Sequence, residues 1–277
     1  MLEAGDSQRV AELMRETAAA ELLPRFRNLA QEDIREKKPG DVVTVADFAS
    51  ERRLALGLQT ILPGVPVVGE EAAEEDPGLL ELVGRPGGAC WIVDPLDGTA
   101  NFAAGKETFA IIVCLVHKAE TIAGWILDVP RGRMAVAHKG SGVTIDGIAV
   151  RGERKNRAPN GLVGYRVRKQ VDRQLSASQR QRLGRLTTLR CAGVEYLEIL
   201  SGRMDFCLYR RVKPWDHAAG ALMMLEAGGD ALRFDGSAYG PSQELNGGII
   251  AAPSRDVLAE VRAVFAMVQM PLFESRC

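Results

Sequence analysis

Between Phe109 and Val150 the chain passes through four segments, AIIVCLVHK, TIAGWILDV, RMAVAHK and GVTIDGIAV, dominated by apolar and small residues. The separators Lys-Ala-Glu, Pro-Arg-Gly and Lys-Gly-Ser-Gly are turn signals too short for a crossover, so consecutive strands must lie side by side in opposite directions. This predicts an antiparallel meander.

The flanking sequence supplies helices. Residues 7–37 carry apolar groups at helical spacing with Pro24 as a kink or break, which predicts one or two opening helices. The spacing resumes at about Asp47 and stops at Pro63-Gly64. VPVVGEE reads as a short strand running into acid, and CWIV as a buried strand ending in Asp-Pro-Leu-Asp-Gly. Further on, CAGVEYLEILSG reads as a helix, MDFCLYR as a strand, AAGALMMLEAGG as a helix stopped by Gly228-Gly229, and DVLAEVRAVFAMV as a final helix. Leu222, Met223 and Leu225 read as core. The polar stretch GERKNRAPNG at 152–161 divides an N-terminal α+β half, residues 1–150, from a C-terminal α/β half, residues 151–277.

With 277 residues, 46% hydrophobic and 26% charged, the chain can bury a sizeable core, which excludes disorder. Three histidines and five cysteines without a CxxC pair argue against zinc or iron–sulfur ligation, so a metal would be held by oxygen. Cys90 and Cys114 lie in apolar runs and read as buried free thiols of a reducing compartment, hence the cytoplasm. No apolar leader and no stretch near the roughly 18 residues of a membrane span is present, so neither export nor membrane insertion is expected. Residues 151–190 hold twelve Lys or Arg against Glu153 and Asp172, a patch able to attract anions or to serve as a solvated basic face.

Asp94-Pro95-Leu96-Asp97-Gly98-Thr99 places two carboxylates at the exit of a buried strand, where α/β proteins present ligands. A turn stiffened by Pro95 would bring Asp94 and Asp97 to one side, and the amides of Gly98, Thr99 and Ala100 could point at phosphate oxygens. A loop whose aspartates cap their own backbone has the same string. Gly69-Glu70-Glu71 adds acids directly after a strand, as a hard cation requires, although for this string alone Glu74, Glu75 and Asp76 favour a plain acidic surface loop. Asp216, in Pro214-Trp215-Asp216-His217-Ala218-Ala219-Gly220, starts a helix as a cap or a ligand.

GEE, DPLDGT and WDHAAG in this order, with the string WIVDPLDGTANF, resemble the inositol monophosphatase superfamily of magnesium-dependent, lithium-sensitive phosphatases across essentially the whole chain. The resemblance implies a layered αβαβα sandwich of the inositol monophosphatase and fructose-1,6-bisphosphatase type, two or three Mg²⁺ ions, and a homodimer. It implies that Glu70, Asp94, Asp97, Asp216 and the Leu96 carbonyl bind metal. Thr99, with Asp47 and Glu70, would orient and help deprotonate the attacking water. Substrate contacts would come from Asp97, Gly98, Thr99, Ala100, Ala192, Tyr209 and Asp216.

Two positions depart from the pattern. Inositol-specific members carry an acid seven residues before the Trp-Asp aspartate, where this chain has Tyr209, followed by Arg210 and Arg211. Tyr209 could still donate to a substrate hydroxyl, and the arginines would favour extra negative charge. Ala100 replaces a frequent threonine but keeps its amide. The reading is therefore a phosphomonoesterase acting on a small phosphorylated metabolite, inositol-1-phosphate-like first, with histidinol phosphate, fructose-1,6-bisphosphate and 3′-phosphoadenosine-5′-phosphate as rivals. A protein of this fold that binds RNA or transcription machinery through 151–190 is the alternative of another class. Because the acidic positions are all present, catalysis is favoured and a nucleic-acid partner is not expected. His217 and Thr108 receive no role, His217 reading as a packing residue.

Overall fold

The computed structural model of the chain describes residues 2–3, 5–38, 40–242, 245–266 and 268. The elements, in order, are α1 (Asp6–Thr17), β1 (Ile34–Lys38), β2 (Asp41–Thr44), α2 (Val45–Ile61), β3 (Val67–Gly69), α3 (Glu70–Glu75), β4 (Ala89–Asp97), α4 (Thr99–Ala103) and β5 (Ala110–His117). They continue with β6 (Glu120–Asp128), β7 (Arg133–His138), β8 (Gly142–Ile145), β9 (Ile148–Val150), β10 (Gly161–Val163), α5 (Tyr165–Gln174), α6 (Ala177–Arg180) and β11 (Leu186–Thr187). Last come α7 (Ala192–Leu200), β12 (Phe206–Tyr209), α8 (Pro214–Glu226), β13 (Asp230–Leu232), β14 (Ile249–Ala252) and α9 (Arg255–Phe265).

Strands β3 to β9 form one sheet in sequence order, parallel only between β3 and β4 and antiparallel thereafter. The predicted meander is this sheet from β5 onward, with the last apolar segment folded back as the β8–β9 hairpin. A second sheet, in the order β11-β10-β12-β14-β13, uses chain from beyond the 152–161 stretch.

Alternation along the strands explains the layering. Trp91, Val93, Ile111, Val113, Trp125 and Leu127 point to one face and bury Val10 and Met14 of α1 with Leu54 and Leu58 of α2. The intervening residues Cys90, Ile92, Ile112, Cys114 and Ile126 point the other way, onto Tyr196 of α7 and Ala218 and Met223 of α8. The same core continues to Leu162, Cys207 and Ala251 of the second sheet, so α7 and α8 are sandwiched between sheets. Val163, Phe206, Leu208 and Ile250 on that sheet's outer face are covered by Val167 and Val171 of α5 and Val257, Val261 and Phe265 of α9. The result is the expected αβαβα sandwich. Burial of each such large apolar side chain contributes roughly 1.5–3 kcal/mol. The two central helices approach so closely that a Cβ at Gly220 would lie 2.2 Å from the Tyr196 ring.

Two local expectations are corrected. The opening helical pattern gives α1 and a π-helical turn over Ala18–Leu22, but Ile34–Lys38 is a strand, because Gly40 at φ +83° turns the chain back to pair Ile34 with Thr44. Leu225 is 47% exposed rather than core, since its place on α8 falls outside the arc that buries Leu222 and Met223. The basic segment is partly neutralised at Arg154–Glu260, Arg157–Asp205 and Arg180–Asp172. Cys90, Cys114, Cys191 and Cys207 are buried free thiols, while Cys277 lies outside the described residues. Among the described residues no helix is long and apolar enough to cross a membrane.

Candidate active site

Asp94 and Asp97 are three residues apart on β4, a spacing that in a regular strand sends side chains to opposite faces. The register slips between them: Asp94 pairs with Ile112 and Asp97 with Ala110, so three steps on β4 oppose two on β5. This bulge resets the alternation. Leu96 enters the core with Trp91 and Val93, while both aspartates face α7 and α8. A bulged strand thus does what a turn was expected to do. The Pro95 carbonyl accepts from Ser50 Oγ at 2.9 Å, tying the bulge to α2.

Glu70 is the first residue of α3, and the parallel pairing of β3 with β4 sets it beside Asp94. Asp216 arrives from the third position of α8, inside the first turn rather than at the cap, which is Lys213. Glu70, Asp94 and Asp216 each offer a carboxylate oxygen within 4.8 Å of the others. Burial, Glu70 and the neighbouring aspartates push the Asp94 carboxyl well above the usual carboxylate range. Burial and Glu70 push Asp216 up likewise, against the opposing pull of Lys213. Carboxylates packed this closely repel one another when ionised. A hard cation would offset that repulsion and take oxygen ligands from all three residues, so the donor set fits Mg²⁺.

Asp97 stands outside this trio. Its Oδ2 accepts from the Gly193 N–H at 2.6 Å and from Cys191 Sγ at 3.1 Å, fixing the start of α7, where Ala192 is the first residue. Burial raises its pKa and those donors oppose the rise.

Asp47 is the third residue of α2, and its two oxygens serve two purposes. Oδ2 accepts from the Thr44 N–H at 2.8 Å and Oγ at 2.7 Å, completing a capping box. Oδ1 accepts from Thr99 Oγ at 2.9 Å. The helix-start role and the contact to Thr99 therefore coexist. Burial pushes Asp47 up to about 6. Thr99 Oγ also lies 2.9 Å from the Leu96 carbonyl. Gly98 has φ +88°, and a Cβ there would come within 2.9 Å of the Thr108 carbonyl, so only glycine passes from β4 into α4, whose second residue is Ala100.

Tyr209 ends β12 and donates its hydroxyl proton to Glu195 Oε2, so the expected donation to a substrate gives way to this bond. Glu195 is buried and also accepts from Thr188 Oγ at 2.8 Å and the Leu189 N–H at 2.5 Å. His217 is buried with Nδ1 3.2 Å from the Tyr196 hydroxyl, the packing role expected of it.

Four charged residues at or near the site escape a reading by motif: Glu195, Lys37, Glu74 and Lys213. The acidic run after Glu70 is a short helix rather than a surface loop. Lys37 Nζ lies 3.1 Å from Glu71 and 2.5 Å from Glu74, and Lys213 Nζ lies 2.6 Å from Glu74 and 2.8 Å from Glu70. The available signal for Lys213 was its place three residues before Asp216, one helical turn away.

The inositol monophosphatase family model matches residues 7–267. The chain belongs to the inositol monophosphatase family. A protein named Nus factor SuhB from Pseudomonas aeruginosa is 31% identical over 79% of this chain and 83% of its own length. An inositol-1-monophosphatase from Bacillus subtilis is 26% identical over 73% of this chain and 76% of its own length. Among solved structures, an IMPase from Thermotoga maritima superposes with a TM-score of 0.75, covering 93% of this chain and 97% of that one at 23% identity, which bears on the fold. The family thus includes proteins named as phosphatases and a protein named as a Nus factor.

Proposed function

We propose that this protein is a Mg²⁺-dependent phosphomonoesterase acting on a small phosphorylated metabolite, with an inositol-1-phosphate-like substrate as the leading candidate. The observation that carries the reading is the convergence of Glu70, Asp94 and Asp216 from three separate elements. The Thr99–Asp47 pair is joined to the Asp94 strand through the Leu96 carbonyl. Asp97 and the Leu96 carbonyl complete the proposed metal-binding set. When bound, two or three Mg²⁺ would supply Lewis acidity and neutralise phosphoryl charge.

The remaining steps belong to the chain. Ionised Asp47 holds the Thr99 hydroxyl hydrogen, which turns a Thr99 lone pair toward a water; as that water's proton passes to Thr99 Oγ, the Thr99 proton passes to Asp47. Gly98, Thr99 and Ala100 position the phosphate, and Asp97, Ala192 and Asp216 bound the substrate. Tyr209 shapes that wall with its ring, which packs 4.5 Å from the His217 ring centroid. Because its hydroxyl is engaged by Glu195, selectivity for inositol has no support from this residue, and histidinol phosphate, fructose-1,6-bisphosphate and 3′-phosphoadenosine-5′-phosphate remain in contention. Lithium inhibition, a homodimer and a cytoplasmic site of action belong to the same proposal.

Phosphate release from these four compounds, with and without Mg²⁺ and Li⁺, tests the reading. Magnesium-dependent, lithium-inhibited release supports it, and no release from any of them would defeat the substrate class. A second reading, contact with transcription machinery, draws on the name of the Pseudomonas relative and on the basic 151–190 segment. Salt-sensitive RNA binding by a protein without phosphatase activity would favour it.

A further inference from the structure

The acidic centre contains a cation of its own. Lys213 sits at the cap of α8, three residues before Asp216, and its side chain is only 16% exposed. Its ammonium donates to Glu70 Oε1 at 2.8 Å and to Glu74 Oε1 at 2.6 Å, and lies 5.2 Å from the Trp215 ring centroid. Two carboxylates and an aromatic face hold a long, otherwise mobile side chain in one place. Glu74 is itself held from its other oxygen by Lys37 at 2.5 Å. Glu70 thus belongs to two sets at once: the trio with Asp94 and Asp216, and an ion-pair chain running Lys213, Glu74, Lys37, Glu71.

We propose that Lys213 is a fixed cation that competes with divalent metal for Glu70, and so sets how tightly the acidic centre holds its metal. The inference rests on the metal-centre reading given above. A unit positive charge a few ångströms from a divalent ion raises the free energy of the bound ion, and its hydrogen bond draws electron density from the carboxylate the ion needs. A weakened site can exchange ions during turnover and would follow the surrounding Mg²⁺ concentration. Lys213 acts through Glu70 and is a positioning residue, not a catalytic one.

The test is isothermal titration of Mn²⁺ and Mg²⁺ into the full-length chain, comparing wild type with K213M, K213Q and K213R, each checked for folding by circular dichroism. K213Q retains a hydrogen-bond donor and serves where K213M fails to fold. The neutral variants are expected to bind metal at least about tenfold more tightly, and K213R to keep affinity near wild type, since Arg retains the positive charge that Gln, also a hydrogen-bond donor, lacks. Equal affinity in wild type and the neutral variants would overturn the proposal. A D94N control separates the two readings: if wild type binds no better than D94N, the metal centre itself fails and the proposal falls with it.

Discussion

The hydroxyl oxygen of Thr99 lies 2.9 Å from Asp47 Oδ1 and 2.9 Å from the Leu96 carbonyl oxygen. The single hydroxyl hydrogen is divided between the two acceptors. The Leu96 carbonyl has no proton to return, whereas Asp47 can hold one, so proton traffic at Thr99 runs through Asp47.

Substitution at either end of this pair should therefore remove the same function. Asp47→Asn and Thr99→Ala are each expected to lower kcat by roughly 10²–10³-fold with a much smaller change in KM, and the double variant to be little worse than either single. In wild type the rate should climb with pH as the Asp47 carboxyl, pushed up by burial to about 6, loses its proton. That acidic limb should be missing from the residual activity of Asp47→Asn. Steady-state kinetics across pH decide it, and additive losses would show that the two residues act independently.

Asp94→Asn should separate stability from turnover. The Asp94 carboxyl is pushed up by burial and by Glu70, so at high pH without metal its charge opposes folding. Asparagine can still accept from the Leu96 N–H, now at 3.1 Å, while removing the charge. The metal-free variant should melt above wild type, by a margin that widens as pH rises, and Mg²⁺ should raise its melting temperature less. Since losing an outer partner of a metal ligand already costs about 10–100-fold, losing this carboxylate should cost at least about 100-fold in turnover. Wild-type turnover with unchanged metal binding would remove Asp94 from the centre.

What the sequence discloses here follows from how local the cause is. The meander is legible because β5 to β8 carry their alternation and their turns within a few residues of one another. The positions of Glu70, Asp94 and Asp216 are legible through strings around them, although only parallel pairing of β3 with β4 and the packing of α8 bring them together. Strand β1 is not legible, since IREKK has one apolar residue and owes its conformation to Thr44 and its neighbours across the hairpin. The bulge that turns Asp94 and Asp97 to one face exists only in the register with β5. Lys213 reaches Glu70 across 143 residues, and the Tyr209–Glu195 bond joins a strand to a helix. Spacing along the chain marks Lys213 only as a neighbour of Asp216 and carries no mark of the Tyr209–Glu195 bond.

Stability should also report the buried histidine. Burial holds His217 down to about 3, whereas an unfolded histidine titrates near 6.5. Between these values the unfolded chain binds more protons, so this group's stabilisation is complete above pH 6.5 and is lost as pH falls, by up to about 1.4 kcal/mol per pH unit. Asp47 has the opposite sign. Its pKa is raised from 3.8 to about 6, so its stabilisation is present at low pH and disappears as pH rises through 6. Denaturant unfolding of wild type and His217→Gln at several pH values isolates the histidine's contribution: the gap between them should shrink steadily from pH 7 to pH 4. A constant gap would mean that His217 is charged in the folded chain.

Tyr209→Phe tests what the Tyr209 hydroxyl is for. It donates to Glu195, whose other oxygen holds the Thr188 hydroxyl and the Leu189 amide, so the bond braces the loop that leads into α7. Deleting the donor leaves a buried carboxylate short of one partner and should cost about 1–3 kcal/mol of stability. If the hydroxyl is spent there, the relative kcat/KM for inositol-1-phosphate, histidinol phosphate, fructose-1,6-bisphosphate and 3′-phosphoadenosine-5′-phosphate should be the same in variant and wild type, even where all four fall together. A selective loss for one polyol phosphate, with stability intact, would instead place the hydroxyl on the substrate. Glu195→Gln separates the cases further. It leaves one acceptor oxygen and makes the other a donor, so the Tyr209 hydroxyl and the Leu189 amide cannot both keep donating to it, and stability should fall while the order of preference stays unchanged.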